Sequence, residues 1–224
     1  MVITPDTQAA LDILRVWPED FKWYLIPIFA LVIYIYFSEI ERGNWNRVFA
    51  GLAFWGMDWL NEIANALILA FTQESALWTC GGETGFLIFV GLNIEISLMF
   101  AMAGIAFAKV LPEDRNLKFF GIIPNRWGLA IGNAVFCVFV ELILNYAGGL
   151  LWHYSFWNNP LFGFQYILSW IPIVIFGYLH FMVVCFWVHD MKSQKKQIIV
   201  VSVIYAIAIC AVILFGVIFK VPYF

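Results

Sequence analysis

Polar residues form a line along an otherwise apolar stretch of this chain. In VFAGLAFWGMDWLNEIANALILAF (48–71), Asp58, Asn61, Glu62 and Asn65 fall at i, i+3, i+4 and i+7. That spacing places them on one face of a helix. The stretch is long enough to cross a bilayer, and ionisable groups inside a membrane are costly enough to be kept mainly for function. Glu95 (in GLNIEISLMF) and Glu141 (in FVELILNY) sit centrally in two further apolar stretches, and Asn133, Cys137, Glu141 and Asn145 repeat every fourth residue. The same layer holds no Lys or Arg, and His180 is its one candidate cation. Four ionised carboxylates there would repel one another and lack solvation, so the layer must hold protons or a bound cation.

A protonated carboxylic acid in an apolar pocket is a proton donor, and a neighbouring carboxylate or asparagine can orient it. Aromatic faces stabilise positive charge, and Trp55, Trp59, Tyr146 and Trp170 lie in the same segments as the acids. The expected chemistry is protonation of an epoxide or alkene of a lipid, followed by quenching of the carbocation. Glu62 is the expected general acid, with Asp58 and Glu141 as catalytic partners. Asn61, Asn65, Trp55, Trp59, Glu95, Asn145, Tyr146, Trp170 and His180 are the expected substrate contacts. No cofactor and no metal are expected. The same groups would also bind an amine or a metal cation, so a small transporter or channel for a cation or protonated solute is the alternative, with a non-catalytic partner subunit as a third.

The elements that must position these groups follow from composition. Of 224 residues, 63% are hydrophobic and 12% charged, far from the half-apolar, quarter-charged balance of a soluble domain. Six apolar stretches stand out, at about 23–38, 48–71, 85–108, 127–151, 164–188 and 198–219. The expected fold is all-α: a polytopic integral membrane helical bundle of six helices, or seven if the amphipathic segment 6–17 packs as another, in a single domain over 1–224. Nine of the twelve Lys and Arg fall in the first, third and fifth loops, and none in the second (72–84) or fourth (152–163). The positive-inside rule then makes the odd loops cytoplasmic and puts both termini on the other side. The expected partners are the lipid bilayer and a hydrophobic small molecule or lipid; a protein partner is left open. Twelve scattered basic residues assemble no nucleic-acid face.

Several features read as structural. Cys80, Cys137, Cys185 and Cys210 lack metal-ligand spacing and serve as small apolar residues. Trp78, Trp152, Trp157 and Tyr154 fit an interfacial aromatic belt, and the connector 152–166 is dense enough in aromatics to cap the outer mouth. Gly128 and Gly132, with Ala130 and Ala134, give the small-xxx-small spacing of close helix packing. The first twenty residues lack the basic head and apolar run of a signal peptide.

The stretch WGMDWLNEIANALILAFTQES (55–75), followed by the acid-bearing GLNIEISLMF (91–100), resembles the second and third helices of the transmembrane terpene cyclases of meroterpenoid and indole-diterpenoid pathways. The resemblance implies a helical bundle, seven-membered in that family, that cyclises epoxidised polyprenyl chains by protonation. It implies Glu62 as an essential acid. Asp190, the one late acid here, would stand for the family's second essential acid. This chain has Asn61 where the family tends to carry an aromatic residue.

Overall fold

The computed structural model describes residues 3–146, 152–154, 156, 173–221 and 223. A short helix α1 (Pro5–Asp12) opens the chain with proline at its first position, where the missing N–H is not needed. The long helices are α2 (Leu25–Glu41), α3 (Trp45–Thr72), α4 (Ile94–Lys109) and α5 (Asn125–Tyr146). A π-helical segment, Ile173–Leu179, leads into α6 (His180–His189). Helix α7 (Gln194–Val212) continues as a second π-helical segment, Ile213–Ile218. Two antiparallel hairpins interrupt the helices: β1 (Leu87–Phe89) with β2 (Leu92–Asn93), and β3 (Lys118–Phe119) with β4 (Ile123–Pro124).

Among the described residues two helices, Asn125–Leu144 and Gln194–Ile218, are long and apolar enough to cross a membrane by those measures alone. Helix α3 has 28 residues, about 42 Å at 1.5 Å per residue, but carries the acids. It is the central post, packed against α4, α6 and α7. Phe54 anchors that packing, with ring centroids 5.8 Å from Phe100, 5.5 Å from Phe107 and 5.6 Å from Phe181. Helix α2 and the outer side of α7 expose Ile26, Phe29, Tyr34, Phe37, Ile199, Val203 and Ile207, as lipid-facing helices do.

Two expectations are corrected here. The third apolar stretch, read as one helix over 85–108, folds over Leu87–Asn93 as a hairpin, and the helix starts only at Ile94. Asn93 decides this: its side-chain oxygen accepts from Ile96 N at 2.8 Å, an N-cap that ends the extended segment. The small-residue stripe of α5 packs through its alanines instead of its glycines. Ala130 and Ala134 are buried in the cluster with Phe54 and Phe181. Gly132 has no neighbour among the described residues within 4 Å of where a Cβ would lie, and the nearest atoms to one at Gly128 belong to the Phe119 ring.

The basic loops gather at one end. Glu39, fully buried, meets Lys109 at 2.8 Å, Arg47 at 3.2 Å and Arg42 at 3.7 Å. Asp190 accepts two bonds from Arg126, at 2.9 and 3.0 Å, and meets Arg115 at 3.4 Å. At the other end of α3 the even loops join: Thr79 and His153 exchange backbone hydrogen bonds of 2.9 and 2.8 Å. Helix α1 docks there too, with Thr7 Oγ1 donating to Ser75 Oγ at 3.3 Å.

Candidate functional site: a carboxyl cluster beside an aromatic chamber

The polar line on α3 faces inward, towards the residues of α4, α5 and α6 that line one cavity with it. Asp58 and Glu62 are 2% and 4% exposed, and Glu141 on α5 is 7% exposed. Together with Asn61, Trp78, Trp152, Tyr154 and Tyr178 they line a cavity of about 20 Å³, room for one water-sized occupant. Glu62 Oε1 accepts from Trp78 Nε1 at 2.7 Å, and Asn65 Nδ2 lies 3.4 Å from its Oε2. Glu141 Oε1 accepts from Tyr154 Oη at 2.6 Å. Asp58 Oδ2 is buried without a hydrogen-bond partner among the described residues, and Tyr178 joins Tyr154 as a hydrogen-bond partner of the Glu141 carboxyl. Among the described residues the ion pairs of Lys and Arg go to Glu39, Glu83 and Asp190, and none reaches the cluster.

A second cavity, of about 180 Å³, adjoins the first. Both are lined by Phe100, Glu141, Trp152 and Tyr178. Among the described residues the remaining walls of the larger chamber are Phe54, Met99, Ala103, Phe107, Phe136, Cys137, Val140 and Leu144, which leaves Glu141 as the one ionisable carboxyl there. A chamber of this size suits a branched apolar group of five or six carbons, since about 150 Å³ accommodates benzene.

Asp58, Glu62, Glu141 and Asn61 are brought together. Asn65 stands behind them as a clamp: its oxygen accepts from Leu77 N at 2.8 Å and its amide donates to Trp78 O at 2.8 Å. It thereby fixes the loop that carries Trp78. Trp170 and the side chains of Asn145 and Tyr146 lie outside the described residues, as does Trp157.

The other expected contacts line neither cavity, each for a local reason. Glu95 falls in the first turn of α4, where the helix dipole favours an acid. Thr84 Oγ1 (2.6 Å), Gly85 N (2.6 Å) and Tyr24 Oη (2.5 Å) all donate to its carboxylate. Trp55 donates to Ser97 Oγ at 2.9 Å and ties α3 to α4. Trp59 packs edge-on against Phe89 of the hairpin at 5.8 Å. His180 meets Phe181 edge-to-face, with ring centroids 4.4 Å apart, and its Nδ1 lies 3.2 Å from Ile175 O. Asp190, the late acid suggested by resemblance, is held by Arg126 and Arg115 at the charged end and does not join the cluster.

Trp78, Trp152 and Tyr154 correct the aromatic-belt reading. Trp78 and Trp152 are 7% and 6% exposed, and all three turn inward to the acids. Gly91 completes the outer wall. A Cβ there would come within 2.5 to 2.6 Å of Trp78, Asn65 and Glu62 Oε2, so the hairpin turn can rest on the carboxyl only because it carries glycine. The sequence signal for this group was the density of aromatics in the outer loops, which gives no direction for the rings.

Apolar outward faces, a buried carboxyl layer and charges confined to the ends define a helical integral membrane protein. Residues 4–217 match the model of an uncharacterized membrane protein family, and the chain belongs to that family. It is 48% identical over 214 residues to an uncharacterized protein of Archaeoglobus fulgidus, an alignment covering 94% of this chain and 96% of that one. No solved structure matches.

Proposed function

We propose that the protein is an intramembrane enzyme that acts on an isoprenoid or other lipid by acid-initiated carbocation chemistry. It would be a six-span bundle with both termini on the non-cytoplasmic side. The observation that carries this reading is Glu141, a buried carboxyl shared by an aromatic apolar chamber and a polar pocket containing two more acids. Tyr154 donates to its Oε1, Tyr178 is a second hydroxyl partner of the carboxyl, and among the described residues no Lys or Arg pairs with it to fix it as a carboxylate.

In this reading the reacting end of the lipid enters the larger chamber. The Glu141 carboxyl protonates an epoxide oxygen or an alkene carbon. Carbon–oxygen cleavage, or addition to the double bond, leaves a cation, which a second double bond of the same chain attacks to form a carbon–carbon bond. The aromatic rings of Phe100, Trp152 and Tyr178 favour positive charge beside them. Loss of a proton from the final cation to the carboxylate returns the acid and balances the reaction. Glu62 and Asp58 hold and orient the exchangeable protons behind Glu141. The resemblance to terpene cyclases over residues 55–75 supports the chemistry, and assigns Glu62 a place in it.

The test is turnover of an epoxidised polyprenyl chain by the purified protein in detergent, with products resolved by mass spectrometry. Glu141→Gln and Glu62→Gln should each lower product formation by about 10²-fold or more, with thermal unfolding little changed. Undiminished cyclisation by Glu141→Gln would overturn the assignment.

A further inference from the structure

At the charged end lies a cavity of about 500 Å³, separate from the carboxyl cluster. Arg47 from α3, Arg115 from the loop before α5, Arg126 from α5 and Lys192 from the loop before α7 all line it. A bias toward basic loops places charges at this end of the bundle, but does not by itself converge four of them on one concavity. The carboxylates present do not balance them. Glu39 beside the cavity already has three cations, and Asp190 in its wall has two arginines as well as His189 at 3.2 Å. Glu113 is the other acid in the wall, and Lys192 is exposed with no ion pair among the described residues.

The geometry points to a binding site for a phosphate-bearing group in this cavity. Arginine forks and a mobile lysine suit the tetrahedral oxygens of phosphate and diphosphate. The volume exceeds that of a single phosphate and admits a diphosphate or the headgroup of an anionic lipid. Its position favours an amphiphile: Ala108 of α4 lines this cavity, while the preceding residue, Phe107, lines the aromatic chamber. The site goes beyond the proposed acid chemistry and is tested by binding alone, so either reading can fail without the other.

Isothermal titration of the full-length protein in neutral detergent with inorganic pyrophosphate should show saturable binding. Arg115→Gln with Lys192→Gln should weaken it about tenfold, as should Lys192→Gln alone to a smaller degree. Lys195→Gln with Lys196→Gln, which removes the same charge from the same end outside the cavity wall, should change it less than about twofold. Native mass spectrometry from nanodiscs of phosphatidylcholine and phosphatidylglycerol in equal parts identifies the source. Phosphatidylglycerol retained by the native chain and lost in the cavity variant assigns a lipid headgroup, even where pyrophosphate binds weakly. Pyrophosphate binding without retained lipid assigns a soluble phosphate compound. Equal weakening by both variant pairs would show diffuse charge attraction and overturn the site, as would the absence of both pyrophosphate binding and retained phosphatidylglycerol.

Discussion

Asp190 and Glu141 are both carboxyl groups in the later half of the chain, and their partners separate them. Asp190 has cations around it. Burial alone would raise its carboxyl pKa, but the hydrogen bonds from Arg126 and His189 and the charges of Arg126 and Arg115 outweigh burial and hold it below the usual value of 3.8. A lowered folded-state pKa means that the ionised form is stabilised on folding. That stabilisation is complete above the unfolded value, near 4, and is lost as pH falls through the lower folded one. Asp190→Asn should therefore lower stability at neutral pH, by about 1–2 kcal/mol after allowance for partial exposure. Thermal unfolding curves of the two proteins should converge between pH 4 and the lower folded value. A gap that widens on acidification would contradict the pairing. Glu141 has two tyrosines, Tyr154 and Tyr178, and no Lys or Arg among the described residues, and that contrast was legible in the sequence: Glu141 sits among apolar residues and Asp190 among basic ones. The partner hydroxyls were not legible. Tyr154 follows His153, whose backbone pairing with Thr79 helps bring it over the acid.

Helices α3 and α4 approach through glycine. A Cβ on Gly104 would lie 2.7 Å from Phe54 Cβ and 2.9 Å from both the Cα and the O of Gly51, backbone atoms that cannot turn aside. Gly104→Ala should cost about 1–3 kcal/mol and lower the unfolding temperature in detergent. Gly132→Ala on α5, with open space around it, should instead raise stability by roughly 0.5–1 kcal/mol, the entropy that glycine loses in a helix. Opposite signs in the two scans separate packing from propensity; a loss at Gly132 would put that face against an unseen neighbour. At this scale the sequence conveyed α3 and the glycine-bearing helices through periodicity. It misplaced the start of α4 by treating an apolar run as uniformly helical. Within GFLIFVGLN the glycines and the capping asparagine divide the run, and hydropathy alone does not register them. Glu95 consequently stands in the first turn of a helix, where sequence position had placed it in the middle.

The molecule as a whole is polarised. One end collects arginine and lysine around Glu39 and Asp190; the other carries Trp78 and Tyr154, hydrogen-bonded to Glu62 and Glu141. The charge alternation of five loops announced this before any contact was known, because orientation depends on where basic residues fall and not on how the helices pack. The packing of two cavities along one bundle could not be announced, since it needs side chains from four helices. With cysteine removed elsewhere, Lys195→Cys should react with a membrane-impermeant maleimide only from the cytoplasmic face, and Glu83→Cys only from the opposite face. Reversed labelling would invert the bundle.

The seam between the outer loops is made of backbone bonds, Thr79 to His153 in both directions. Backbone pairing is indifferent to which side chains hang from it but strict about how many residues lead up to it. Residue 153, half-buried, can therefore vary more than Thr79, which is 1% exposed and leaves little room for a larger side chain. The single step from Trp78 to Thr79 cannot lengthen without swinging the indole off Glu62, so here spacing carries the constraint that composition usually does.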